Sequence, residues 1–122
     1  MPLPLINSIA SWILKKRIHQ IELFMKYPME VQEEILFGLL KSAENTVLGK
    51  KYDYSTIKNY QTFNERIPVS TYEELEPFIE QTRQGAQNIF WNSTIKYFAK
   101  SSGTTNAKSK FIPVSSEALE NN

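Results

Sequence analysis

The chain has 122 residues, 41% of them apolar, which is enough for a globular core and argues against general disorder. Its 14 Lys plus Arg nearly balance 13 Asp plus Glu; a net charge of +1 offers no bulk field for nucleic acid or an anionic membrane, so any anion site must be local. The absence of cysteine excludes disulfides, thiolate metal sites and cysteine nucleophiles together, and fits a cytoplasmic address.

The first apolar stretch, Leu3 to Leu14, is interrupted by Pro4, Asn7, Ser8 and Ser11, and the basic cluster Lys15-Lys16-Arg17 follows it where a signal peptide's would precede it. It reads as neither a signal peptide nor a membrane span. With Asn7 or Ser8 as cap, Ile9, Trp12, Ile13, Ile21 and Phe24 predict a helix that ends before Pro28. A second helix is predicted from Met29, carrying Val31, Ile35, Leu39, Ala43 and Val47 at steps of four, with Gly49 as its stop. The Leu-rich stripe of the second and the Trp12 face of the first suit each other, so an antiparallel helical pair is expected over about 7–49. The cluster at 15–17 opposite Trp12 would also suit a helix resting on a membrane surface, although docking on the second helix is the simpler use. Residues 50–69 are aromatic and polar without a sustained period and read as an ordered connection.

At Ser70-Thr71 the capping-box pattern occurs twice, Ser70 with Glu73 and Thr71 with Glu74. Tyr72, Leu75, Phe78 and Ile79 follow at helical spacing, so a helix is predicted over about 71–84, with Pro77 expected to bend or shorten it. Beyond Gly85, Ile95-Lys96-Tyr97-Phe98-Ala99 and Lys110-Phe111-Ile112-Pro113-Val114 predict a strand-loop-strand over 95–114, in which Pro113 puts the second strand at an edge or ends it. Ser115 or Ser116 then caps a helix through Glu117, Ala118 and Leu119. A domain seldom stops one turn into a capped helix, so 1–122 is expected to be a truncated N-terminal portion of one larger domain.

Chemistry is concentrated in the loop. Between Lys96 and Lys110 there are four lysines and no acidic residue, whereas Tyr72 to Glu80 holds four glutamates and no base, so charge is sorted along the chain. Ser101, Ser102, Thr104 and Thr105 surround Gly103, whose missing Cβ lets backbone amides approach a phosphate, and Lys108 and Lys110 supply counter-charge. That combination suits a nucleotide triphosphate, with metal neutralising the remaining charge. The Walker pattern fails here: no second glycine precedes Lys108, the spacing is one residue short, and a strand follows where a helix should open. An ordinary hairpin connection with solvated lysines is the plainer reading of the same tract. His19 reads as a surface residue, the helix-start glutamates as macrodipole partners rather than metal ligands, and Trp12, Trp91 and the tyrosines as core and rim.

Lys100-Ser101-Ser102-Gly103-Thr104-Thr105 followed by Lys108-Ser109-Lys110-Phe111-Ile112-Pro113 resembles the nucleotide motif of the auxin-responsive (Gretchen Hagen) acyl-acid amido synthetases, a family of the acyl-adenylating superfamily. Arg66-Ile67-Pro68-Val69-Ser70-Thr71-Tyr72-Glu73-Glu74-Leu75-Glu76-Pro77-Phe78-Ile79 is similar to the segment that family places upstream of its loop. The likeness is good from Arg66 to Glu117 and loose in the N-terminal helices; Asn106 and Ala107 stand where the superfamily often has glycine after the second threonine.

The resemblance implies an α/β fold, here the N-terminal part of an acyl-adenylate-forming domain, mostly helical with a short strand-loop-strand near the C-terminus. It implies an enzyme that adenylates a small-molecule carboxylic acid with ATP and Mg²⁺ and transfers the acyl group to an amine such as an amino acid. Carried over by position, Ser101, Ser102, Gly103, Thr104 and Thr105 would hold the β- and γ-phosphates, Lys110 would take the place of the motif's lysine, and Lys108 is the weaker candidate. In that family the adenine, ribose, acid and amine sites lie beyond Asn122, so no catalytic residue is assigned and the 122-residue chain is expected to be inactive alone. Two rivals stay open: an acyl-CoA ligase, with a thiol replacing the amine, and a non-catalytic helical interaction module.

Overall fold

The computed structural model describes residues 4–103 and 108–121, with side chains from residue 7 onward. The chain divides into two compact units between Phe37 and Gly38. In the first, α1 (Pro4–Lys26) is followed after one residue by the start of α2 (Pro28–Ala43). Pro28, at the first helical position, has no amide to satisfy there. Tyr27 N–H donates to Leu23 O at 2.8 Å and Val31 N–H to Tyr27 O at 3.1 Å, so helical bonding continues through the junction. The expected antiparallel reversal does not occur here, because a reversal needs a loop and only Tyr27 separates the two helices. Ile9, Trp12, Ile13, Ile18 and Ile21 remain more than half exposed, so the apolar residues of α1 are not covered within the described residues.

In the second unit, α2 ends at Ala43, six residues before the expected stop at Gly49, and α3 (Val47–Lys51) begins. The cause is Thr46, 1% exposed, whose hydroxyl donates to Ala43 O at 2.7 Å and accepts from Gly49 N–H at 3.0 Å. One side chain thereby closes one helix and caps the next. Gly49 lies inside α3: a Cβ there would stand 2.0 Å from Ala43 O. The first two amides of α3 are taken by backbone carbonyls from much later in the chain, Val47 N–H by Asn88 O and Leu48 N–H by Ile89 O. Leu40, Ala43, Leu48, Ile57, Ile79 and Ile89 form the buried apolar core.

Residues 50–69, expected as a connection, hold a 3₁₀ turn (Tyr54–Thr56) and α4 (Tyr60–Arg66), which Asn59 caps through Thr62 N–H. Asp53, at φ 51°, accepts from the Ser55 and Thr56 hydroxyls, and Arg66 reaches back to Asp53 O at 2.8 Å and to Thr56 Oγ1. These hydroxyls, with Arg66 a lesser cause, hold the Asp53 carboxyl below its usual range.

α5 (Tyr72–Arg83) forms where predicted, and the second of the two boxes is used: Thr71 Oγ1 accepts from Glu74 N–H while Glu74 Oε2 accepts from Thr71 N–H at 2.7 Å. Pro77 does not shorten it; the helix runs on to Arg83, and Thr82 bonds back to Phe78 O. β1 (Tyr97–Lys100) and β2 (Phe111–Val114) pair antiparallel, Lys100 opposite Phe111 and Phe98 opposite Pro113. The bond from Ser101 N–H to Lys110 O sets the alternation, so Phe111 and Pro113 fall at non-hydrogen-bonded positions. Pro113 therefore removes nothing from the ladder. α6 (Ser116–Glu120) is capped by Ser115, which accepts from Ala118 N–H, and Glu117 receives the Ser93 hydroxyl at 2.9 Å.

Candidate functional site

The Ser/Gly/Lys tract sits at the closed end of the β1–β2 hairpin. Ser101 ends the ladder twice over: its amide donates to Lys110 O at 2.9 Å and its hydroxyl accepts from Lys110 N–H at 3.1 Å. That double bond fixes where the two strands part. Ser102 and Gly103 follow, both exposed, and Lys108 and Lys110 return on the other side, also exposed. Five of the seven expected residues, Ser101, Ser102, Gly103, Lys108 and Lys110, stand at this end of the hairpin; Thr104 and Thr105 lie outside the described residues.

Beside the turn is a cleft of about 410 Å³ lined by Tyr72, Glu73, Glu76, Lys108, Ser109 and Lys110. Its far wall is the N-terminal end of α5. Tyr72 Oη accepts Phe111 N–H at 2.9 Å, the amide that the alternation of the ladder points away from β1. The ammonium of Lys110 lies 3.5 Å from Glu73 Oε1 and 5.1 Å from the centre of the Tyr72 ring. At the other end of α5, about three turns on and on the same face, the Arg83 guanidinium stacks 3.9 Å from the centre of the Phe111 ring while pairing with Glu80. The helix therefore holds β2 at two points.

The Glu73 carboxyl titrates below its usual range, first because its own backbone N–H donates to it and next because Lys110 lies beside it. The two stretches that carried the family resemblance, 66–79 and 100–113, are consequently joined by hydrogen bond, ion pair and cation–π contact. Sequence reading placed Tyr72 in a helix stripe and Glu73 at a helix start, without assigning either to the site. The available signal was the sorting of charge, glutamates on one segment and lysines on another, which suits two segments that meet. Among the described residues no three His, Asp or Glu side chains converge as a metal-binding group, and no helix is long and apolar enough to cross a membrane.

The GH3 family N-terminal domain matches residues 17–122, and a mostly helical chain with a short two-stranded antiparallel sheet near its C-terminus is consistent with an N-terminal part of that domain. Over 106 residues the chain is 33% identical to the indole-3-acetic acid-amido synthetase GH3.2 of Arabidopsis thaliana, covering 86% of this chain and 19% of that protein. Over 107 residues it is 31% identical to the jasmonoyl-L-amino acid synthetase JAR6 of Nicotiana attenuata, covering 87% and 18%. The chain spans about a fifth of the length of these curated relatives. It belongs to the GH3 family.

Proposed function

We propose that this chain is the polyphosphate-gripping part of an ATP-dependent acyl-acid amido synthetase. The observation that carries the proposal is the turn itself, where Ser101, Ser102, Gly103, Lys108 and Lys110 stand together, exposed, beside a polar cleft. The relatives, one named for amide formation on indole-3-acetic acid and the other for making a jasmonoyl-L-amino acid, support the same reading. In the reaction a carboxylate oxygen of the acid attacks the α-phosphorus of ATP, the bond to pyrophosphate breaks, and an acyl-adenylate forms. An amine, from an amino acid, then attacks the acyl carbon, AMP leaves, and the nitrogen gives up its proton.

The part of this chain is electrostatic. As the α-phosphorus is attacked, negative charge moves onto the departing pyrophosphate. Ser102, Thr104, Thr105 and the backbone around Gly103 would donate hydrogen bonds to the β- and γ-phosphates, and Lys108 and Lys110 would supply positive charge. Ser101 would serve from the hinge, since its amide and hydroxyl already fix the mouth of the turn. The cleft sets two lysines against Glu73 and Glu76 and is close to neutral, so the protein alone leaves much of the triphosphate charge unmet. Mg²⁺ brought with the nucleotide would fit that charge set and would supply the remaining neutralisation.

The test is acid-dependent exchange of pyrophosphate into ATP by the complete polypeptide, followed by product mass with an amino acid or coenzyme A as acceptor. Exchange that falls at least tenfold in Lys110→Ala, together with an amide product, is expected. A thioester product would move the protein to the acyl-CoA ligases. Absence of exchange with every acid, or exchange indifferent to Lys110, would end the reading. The 122-residue chain by itself is expected to show none.

A further inference from the structure

Lys110 holds the anion of Glu73 where the reading above gives it a phosphate to bind. The ammonium is 3.5 Å from Glu73 Oε1, with the two side chains 46% and 69% exposed, so the pair is screened by water and can be exchanged. The rest of the setting is firm. Phe111, the next residue, is fixed through its amide to Tyr72 and through its ring to Arg83, and Ser101 receives the amide of Lys110 itself. The Lys110 stem is therefore anchored while its charged tip rests on the Tyr72 ring. Glu73 starts a capped helix, its backbone held by the Thr71–Glu74 box, so its carboxylate is presented from a fixed platform. Glu76, one turn on, lines the same cleft, but the ion pair of Lys110 is with Glu73.

We propose that Glu73 is the resident anion of the nucleotide grip: it pairs with Lys110 when the cleft is free, keeps the ammonium directed into the cleft, and is displaced by incoming polyphosphate. Glu73 is thus a positioning residue, and one that lowers affinity for polyphosphate while it holds its partner. This rests on the assignment of the loop as a phosphate grip. A polyanion with several charges outcompetes a single carboxylate for the same ammonium. Its consequence for the enzyme class is easier departure of pyrophosphate after the acid is adenylated, since a local anion is ready to reclaim Lys110.

The probe is inorganic pyrophosphate titrated into the 122-residue chain at low ionic strength, with circular dichroism verifying that each variant is folded. Glu73→Gln is expected to tighten binding about two- to fivefold, the range an exposed pair allows. Glu76→Gln should give less than half that gain, and the gain from Glu73→Gln should vanish in a Lys110→Ala background. Equal gains from both glutamates, or weaker binding by Glu73→Gln, overturns the proposal. A second readout needs no phosphate: the side-chain carboxyl resonance of Glu73 should titrate at higher pH in Lys110→Ala than in the parent. A Glu73 titration indifferent to Lys110 refutes the resident pair while leaving the phosphate grip standing. Pyrophosphate binding indifferent to Lys110→Ala, with the Glu73 titration still coupled, refutes the grip and with it the exchange.

Discussion

Two tracts of this chain are built from the same materials, a hydroxyl residue, a glycine and lysines: Thr46-Val47-Leu48-Gly49-Lys50-Lys51 and Ser101-Ser102-Gly103 with Lys108 and Lys110. In the first, the threonine is buried and both of its hydrogen-bonding roles are filled by the corner it makes, and the glycine is a point of contact between two backbones. In the second, the described residues are exposed, and among those named Ser101 and the Lys110 backbone are tied into the hairpin. Composition alone does not separate a structural corner from a ligand-facing turn. What separates them is whether the polar groups find partners within the chain, because a buried donor or acceptor must be satisfied internally whereas an exposed one is kept ready by water.

The contrast can be broken most forcefully at Gly49. An alanine there must push apart Ala43 O and Glu44 O, both backbone atoms, and is expected to destabilise the chain by about 3 kcal/mol in urea unfolding. A smaller loss would mean the corner is looser than it stands. Thr46→Val keeps the shape but strands Gly49 N–H and takes from Ala43 O one of its two donors, the Thr46 amide remaining, with an expected cost of about 2 kcal/mol by the same measurement. Ser102→Ala, in the exposed tract, should change stability by less than about 0.5 kcal/mol; a cost rivalling that of Thr46→Val would make the turn structural and undo the distinction.

The smallest expected effect is with pH. Asp53, Glu73 and Glu117 all titrate below their usual ranges, Asp53 through the Thr56 and Ser55 hydroxyls and the two glutamates first through their own backbone amides. A lowered folded value binds fewer protons than the unfolded chain, so their contribution is complete above the ordinary carboxylate range, near pH 4, and is lost as pH falls through the folded values. Denaturant midpoints measured from pH 6 down to 2 should fall gradually, and Asp53→Asn should flatten part of that slope. The buried corner around Thr46 has no carboxylate among its bonds and should not contribute to it.

Features fixed by neighbours in sequence were legible before the structure. The capping box at Thr71, the two strands and the cap at Ser115 each depend on residues a few positions apart. The corner at Thr46 was hidden because Val47 continues the four-residue step of α2, so periodicity ran through a break that a single hydroxyl makes. α4 was missed because seven residues are too few to establish a period. Tyr72 and Phe111 are 39 positions apart, and no local pattern announces their bond. Nor could sequence reveal that α1 passes into α2 without turning back, since Pro28 suits a helix start as well as it suits a loop.

Pro113 and Tyr72 together decide how the small sheet can grow. On the side of β2 turned away from β1, one residue that would offer an amide is a proline and the other, Phe111, has already given its amide to the Tyr72 phenol. A strand approaching from that side would meet carbonyls but no donors, and could not zip. β1 has no such block at its alternate residues, Phe98 and Lys100. Extension of the sheet is thus one-way, and α5, by occupying one amide, gives the hairpin its polarity.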